Sequence, residues 1–375
     1  MAMKVLFLTN QASYHQMHFA RAMAAELGEA NFRIVFQKPT SAARAEMGWK
    51  DGYVEPYILR LWQSEAEVAS WIDEADVVIQ GRFPINAIRH RIKSGKLTLA
   101  CQERLWKKRP TLGRKLSRLG HFYKNYISVN KPNYHFLAIG GYAAQDLNQM
   151  GFFKGRSWQF GYFIDAPEYQ ARPERKSVEL LWCARLSDVK QPNMALDILS
   201  GLQQRGIKAN LTMIGDGVLR GALEAEIEAR GIGNSIRLTG WQTQDEVRAH
   251  MRQADLFLMT SHHGEGWGLV VNEALSYGCG VVASQELGSA VWLVEQGVSG
   301  VLYTEQTLEA KLDNLAKLGR NGILAMGEAG NRRMLDMWSS KVAATRTIAL
   351  CRCLIKDDLA AAKQLFNDGV AKFID

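Results

Sequence analysis

Asp255-Leu256-Phe257-Leu258-Met259-Thr260-Ser261-His262-His263-Gly264-Glu265-Gly266-Trp267-Gly268-Leu269-Val270-Val271-Asn272-Glu273-Ala274-Leu275-Ser276-Tyr277-Gly278 reads as a strand, a glycine-rich loop and a helix in direct succession. Asp255–Met259 is a short apolar run of the kind a strand covered on both faces shows. The loop after it therefore lies at the carboxyl edge of a parallel sheet, where ligands bind in such folds. Gly264, Gly266 and Gly268 let backbone N–H groups approach a ligand closely. The helix from Leu269 to Tyr277 points its positive end at the same place, which suits a phosphate. Glu265 and Glu273 lie eight residues apart. A carboxylate accepts two hydrogen bonds from vicinal hydroxyls such as those of a ribose or hexose.

The same alternation extends outward. Strands are expected at Glu179–Ala184, Ala209–Ile214, Ser235–Leu238 and Gly280–Ala283, with helices at Met194–Gln204, Leu219–Arg230 and Asp245–Gln253. This is a doubly wound α/β domain. Upstream, Asp165–Lys176 is polar, contains two prolines and reads as a linker. Before it, Lys4–Leu8, Phe32–Phe36, Ala75–Gln80, Lys96–Ala100 and Phe136–Ile139 read as strands, and His18–Leu27, Glu65–Ile72 and Ala143–Met150 as helices. That is a second α/β domain. The tail from Ser339 to Asp375 reads as helices only. The expected divisions are residues 1–165, 166–354, and a helix over 355–375 that returns to the first domain. A chain of 375 residues fits two cores better than one.

Composition excludes several classes. No run approaches the roughly 18 apolar residues of a membrane span. The apolar run at Val5–Leu8 is too short for a signal-peptide core, so a cytoplasmic protein is expected. Cys101, Cys183, Cys279, Cys351 and Cys353 are odd in number and scattered, which argues against a disulfide framework. Cys351 and Cys353 do not have metal-ligand spacing. The net charge is +8, yet Val77–Gln145 holds fourteen Lys/Arg and one acid, Glu103, while the remainder is net −5. A block of this kind wants an anionic partner. Within 104–124, Leu112, Leu116, Leu119 and Tyr123 have helical spacing among the bases. This helix reads either as peripheral on an anionic membrane surface or as a domain helix with a solvated basic face. No nucleic-acid module is recognisable, so no nucleic-acid partner is expected.

The two glutamates and their glycines resemble the E-x7-E signature of glycosyltransferase family 4, retaining enzymes of the GT-B fold. Cys279-Gly280-Val281-Val282-Ala283-Ser284, Gly288 and Val294-Glu295-Gln296-Gly297-Val298-Ser299-Gly300 continue that pattern. The resemblance implies two Rossmann-like domains with a cleft between them. It implies that Glu265 contacts the donor sugar and Glu273 the nucleotide ribose, with Gly266, Trp267, Gly268 and Leu269 on the donor side. Leu181-Trp182-Cys183-Ala184-Arg185-Leu186-Ser187-Asp188-Val189-Lys190 is similar to the family's strand, Gly-Arg-Leu and following Lys, with Ala184 in place of the Gly. Arg185 and Lys190 are thereby the cations that neutralise a diphosphate and stabilise the departing group. Ile214-Gly215-Asp216-Gly217 either resembles the family's G-x-G loop beside the nucleotide or is a plain turn. Leu238-Thr239-Gly240-Trp241 resembles the loop beside the base, where Trp241 stacks on the base or else is a core aromatic.

The first half matches less closely. Gln11-Ala12-Ser13-Tyr14-His15-Gln16 follows the first strand where relatives carry a Gly-rich or Ser-Pro-His-Gln loop. Tyr14 and His15 are assigned to the acceptor side; His15 reads equally as facing a donor phosphate, or as a capping or core residue. Glu103 ends an apolar run and is either a catalytic carboxylate or the ion-pair partner of Arg104 or Lys107. The implied function is retaining transfer of a sugar from a nucleotide-diphosphate donor to a glycan or lipid-linked acceptor in surface polysaccharide biosynthesis, with neither metal nor cofactor. A noncatalytic carbohydrate-binding or scaffold subunit and a GT-B-fold epimerase are the alternatives.

Overall fold

The structure, a computed structural model, describes residues 3–41, 52–107, 111, 113, 117 and 119–375. The chain divides into two compact units, one made of residues up to Ile164 together with Met337–Asp375, the other of Asp165–Asp336.

The first unit opens with β1 (Val5–Thr9), whose five residues are all buried, and α1 (Tyr14–Leu27). β2 (Phe32–Phe36), β3 (Ile58–Arg60), α2 (Glu65–Glu74), β4 (Val77–Gln80), α3 (Arg89–Lys93), β5 (Thr98–Glu103), α4 (Leu119–Asn125), β6 (Tyr134–Ile139), α5 (Ala143–Asn148) and β7 (Ser157–Phe160) follow. The strands are parallel in the order β7-β6-β5-β4-β1-β2-β3. Apolar residues on both faces of β1, β4 and β6 fit a sheet covered on both sides. β3 and β7 do not stand out in the sequence because each is short and carries polar neighbours. α1 starts four residues earlier than expected, so Tyr14 and His15 stand in its first turn rather than in a loop.

The second unit runs β8 (Val178–Cys183), α6 (Pro192–Gln204), β9 (Ala209–Ile214), α7 (Arg220–Ala229), β10 (Ile236–Gly240), α8 (Gln244–Gln253), β11 (Leu256–Met259), α9 (Val270–Ser276), β12 (Gly280–Ser284), α10 (Ala290–Leu293) and β13 (Gly300–Tyr303) into α11 (Leu308–Met337). Its sheet is parallel throughout, in the order β10-β9-β8-β11-β12-β13. The core lies between this sheet and α6, α7 and α11, around Trp182, Leu196, Leu199, Leu256 and Leu312.

Two expectations need correction. Asp165–Lys176 is not a free linker. Arg172 is buried in the second unit and donates to the carbonyls of Ala254 (3.0 Å), Met251 (3.1 Å) and Tyr277 (2.6 Å). The tail is not purely helical either. After α12 (Ser340–Ile355) and α13 (Leu359–Gln364), β14 (Phe373–Ile374) pairs antiparallel with β7 and extends the first unit's sheet. The chain rejoins the first unit from Met337, ahead of the residue 355 expected from sequence, because α12 packs on α1.

The basic block is partly structural. Arg91 is buried and donates to the carbonyls of Ile72, Asp76 and Leu97 at 2.9–3.0 Å, which stitches together the loops below β4 and β5. Arg104 pairs with Asp146 at 3.7 Å. In α4 the buried residue is Phe122, packed edge-on to Trp106. Leu119, Tyr123 and, just beyond, Ile127 are exposed. Leu112, Leu116 and several bases of the block lie outside the described residues.

Candidate active site

The order of the second sheet decides where its chemistry sits. From β8 the chain adds β9 and β10 on one side, then crosses over to β11, β12 and β13 on the other. β8 and β11 thus flank the switch point, and in open α/β sheets ligands bind beyond the carboxyl ends of the strands at such a point. The loop after β8 carries Arg185 and Lys190; the loop after β11 carries Glu265. Lys190 Nζ and a carboxylate oxygen of Glu265 form an ion pair across this point.

The pair is held by backbone. Asp188–Lys190 forms a 3-10 turn. Thr260 Oγ1 donates to the Lys190 carbonyl (2.6 Å) and accepts from Trp182 Nε1 (2.9 Å). His262 N–H donates to the Val189 carbonyl at 3.1 Å. His262 and His263 carry no signal of their own in the sequence, although they immediately precede the loop glycine. His262 Nδ1 accepts from Gly264 N–H at 2.9 Å, and His263 N–H donates to Glu286 at 2.9 Å. They shape the turn that delivers Glu265.

Glu273 stands half-buried in the first turn of α9, so the two glutamates reach the same edge. Its charge is felt at the end of β8. Burial first, and then the Glu273 carboxylate, push the Cys183 thiol up to about 12, while the Lys190 ammonium acts in the opposite sense. Arg185 is exposed, and no described residue pairs with it. The site thus offers one cation already neutralised by a carboxylate and one open to an anion.

Trp267, expected on the donor side, has a buried indole that donates to Asn272 Oδ1 at 2.7 Å. It braces the loop, and only its backbone is left for a ligand, together with that of Gly266, Gly268 and the half-buried Leu269. Trp241 is the reverse case. A core role is excluded, since it is 68% exposed beyond the end of β10.

Gly215 and Gly217 close the edge at β9. Gly215 has φ +128° and Gly217 φ +157°, and Gly215 N–H donates to the Gly240 carbonyl at 2.8 Å. A Cβ on Gly215 would lie 1.9 Å from the Ala184 carbonyl oxygen, and one on Gly217 2.4 Å from that of Leu186. Only glycine lets this loop lie flat against the strand end that precedes Arg185. Asp216 caps its own loop by accepting from Gly217 N–H (2.7 Å) and Arg220 (3.2 Å).

In the first unit, Glu103 is the last residue of β5. Of its two readings, the ion pair with Arg104 or Lys107 is not formed among the described residues; the Tyr162 hydroxyl donates to Glu103 Oε1 at 2.8 Å. His15 is buried, its Nε2 3.2 Å from Ser13 Oγ and its ring centroid 4.3 Å from that of Tyr162. Tyr14 packs edge-on against His15 and His18.

Residues 167–331 match the family model described as Glycosyl transferases group 1. The amylovoran biosynthesis glycosyltransferase AmsK of Erwinia amylovora is 30% identical over 148 residues, 38% of this chain and 36% of that protein. The GDP-mannose-dependent alpha-(1-6)-phosphatidylinositol monomannoside mannosyltransferase of Mycobacterium tuberculosis is 29% identical over 173 residues, 44% of each chain. The matches span between about a third and a half of the length of these curated relatives. Among solved structures, Anabaena Alr3699/HepE in complex with UDP superposes with a TM-score of 0.64 at 17% identity, over 92% of this chain and 98% of that one. The chain therefore has the GT-B fold, and the segment that carries Arg185, Lys190, Glu265 and Glu273 at its switch point matches the group 1 glycosyl transferases.

Proposed function

We propose that the protein is a retaining glycosyltransferase that moves a sugar from a nucleoside-diphosphate sugar to a glycan or lipid-linked glycan in surface polysaccharide biosynthesis. The observation that carries this reading is the Lys190–Glu265 pair across the switch point, with Arg185 exposed in the same loop as Lys190 and Glu273 on the helix after Glu265. The diphosphate takes the cations, Glu265 takes the sugar hydroxyls and Glu273 the ribose. The bond from the sugar's anomeric carbon to the diphosphate oxygen breaks while the acceptor oxygen bonds to that carbon from the same face. The acceptor's proton passes to the departing phosphate. The protein supplies position and charge stabilisation. Curated relatives named for amylovoran biosynthesis and for a phosphatidylinositol mannoside support the acceptor class.

Calorimetry with UDP, GDP and ADP tests the donor side. One of them binds wild type, and Glu273→Ala weakens it by about ten- to a hundredfold, as expected for loss of a hydrogen bond to a charged group of about 1.5–3 kcal/mol. Unchanged affinity removes Glu273 from the ribose role. NMR of the product shows the donor's anomeric configuration kept; an inverted coupling refutes the retaining step.

A lipid-linked acceptor requires approach to a membrane. Among the described residues no helix is long and apolar enough to cross one. Leu119, Tyr123 and Ile127 are 57%, 63% and 51% exposed beside Lys124 and Lys131, which supports docking on an anionic surface. Each base near such a surface contributes about 1 kcal/mol, screened within a Debye length. The protein is expected to sediment with anionic vesicles at low salt and to lose them at high salt. Replacing Lys107, Lys108, Arg114 and Lys115 by Gln lowers that binding and spares nucleotide affinity. No preference for anionic over neutral vesicles at low salt defeats this reading.

A further inference from the structure

The first unit has a switch point of its own. From β1 the chain adds β2 and β3 on one side, while β4, β5, β6 and β7 extend the other. Ligand crevices form beyond the carboxyl ends at such a point. The segment after β1 brings Ser13 and His15 there, and β5, one strand past β4, ends on Glu103. Tyr162, just after β7, reaches back to this edge and touches both groups. Its hydroxyl donates to Glu103 Oε1 at 2.8 Å, and its ring lies 4.3 Å from the His15 imidazole, tilted by 49°. The second oxygen of Glu103 receives no hydrogen bond from any described residue.

Burial, and after it the adjoining Glu103 charge, raise the Tyr162 phenol well above its ordinary value; Arg82, from the loop after β4, acts in the opposite sense. The phenol therefore remains a donor throughout the working pH range. A carboxylate held by one fixed donor keeps its remaining lone pairs aimed in one direction. A ring packed on His15 restricts the imidazole likewise.

We propose that Tyr162 is the positioning residue of a sugar-hydroxyl site on the first unit: its phenol fixes Glu103 so that the free carboxylate oxygen accepts from a hydroxyl of the acceptor sugar, and its ring sets the plane of His15. The inference rests on the glycosyltransferase reading above and adds a residue to it. Tyr162 acts through its neighbours, so its removal affects acceptor use and leaves donor affinity alone.

The test compares wild type with Tyr162→Phe, Tyr162→Leu, Glu103→Gln and the double variant Tyr162→Phe/Glu103→Gln. Release of nucleoside diphosphate is measured with octyl glycosides of glucose, galactose and mannose as acceptor probes, and with water alone. Nucleoside diphosphate affinity is measured on the same samples, and thermal midpoints establish folding. Tyr162→Phe is expected to keep diphosphate affinity within twofold and to lower acceptor kcat/KM by about ten- to a hundredfold. The double variant loses no more than Glu103→Gln alone, because the two groups act as one unit. Tyr162→Leu, which also removes the ring from His15, loses more than Tyr162→Phe. Wild-type acceptor kcat/KM in Tyr162→Phe, losses that multiply in the double variant, or no stimulation of wild type by any glycoside each overturns the inference while diphosphate still binds. If wild type binds no nucleoside diphosphate, the glycosyltransferase reading itself fails, and the inference with it.

Discussion

Arg185→Ala and Lys190→Ala each lower turnover by about a hundred- to a thousandfold at saturating donor. Charge grows on the diphosphate as the glycosidic bond breaks, and a preorganised group aimed at such charge is worth about 2.7–4 kcal/mol. The two cations start from different states. Arg185 is exposed with no described partner, so its loss removes only an interaction made with the ligand, and the thermal midpoint stays near that of wild type. Lys190 is paired with Glu265, so its loss also leaves a half-buried carboxylate without its cation. The pair is partly solvated, and its direct contribution to folding is small, about 0–1 kcal/mol. Lys190→Ala accordingly loses turnover far more than stability and, by freeing Glu265, also raises the donor KM. Initial rates of diphosphate release against donor concentration check both statements. If both variants keep turnover within threefold of wild type, the phosphate clamp lies elsewhere.

Gly215→Ala unfolds the site rather than tuning it. At φ +128° a side chain is strained, and the added Cβ would meet the Ala184 carbonyl oxygen at 1.9 Å. That oxygen belongs to the backbone just before Arg185 and cannot swing aside as a side-chain tip would. The strain costs about 1–3 kcal/mol and the overpacking about as much again. For a unit of this size the thermal midpoint should fall on the order of 10 °C. Nucleotide binding is lost with it, because relief of the clash displaces Arg185. By contrast Gly233→Ala, whose nearest neighbour to an added Cβ is a side-chain atom at 4.0 Å, should leave the midpoint unchanged. Equal midpoints for the two variants in calorimetric scans refute the steric account.

The second unit was largely legible from sequence because its signals are local. The apolar runs of β8, β9, β11 and β12 are short and bounded by turns, and the expected bounds of each lie within two residues of those observed. Strands with mixed polarity were not: β3, β7 and the two residues of β14 carry too little pattern to separate from loop. Aromatic residues were the least readable. Trp267 and Trp241 both follow strands at the same edge, yet one is buried against Asn272 and the other stands in solvent. Indole chemistry suits either fate, and only the packing around each ring distinguishes them.

What the sequence determined by itself is what neighbouring residues impose on one another: alternating strands and helices in two blocks, a glycine loop that must lead from strand to helix, and two glutamates brought to the same edge by eight residues of chain. What only the tertiary structure decided is adjacency. Lys190 meets Glu265 across 75 residues because β11 returns to lie beside β8. Tyr162 meets Glu103 across 59 because β6 intervenes in the sheet and the chain after β7 bends back over its edge. Arg91 and Arg172 look like surface charges in the sequence and become internal braces because buried carbonyls elsewhere in the chain require donors. Periodicity records which face of an element is apolar. It carries no record of which other element will cover that face, since burial rewards any apolar surface without regard to its position in the chain.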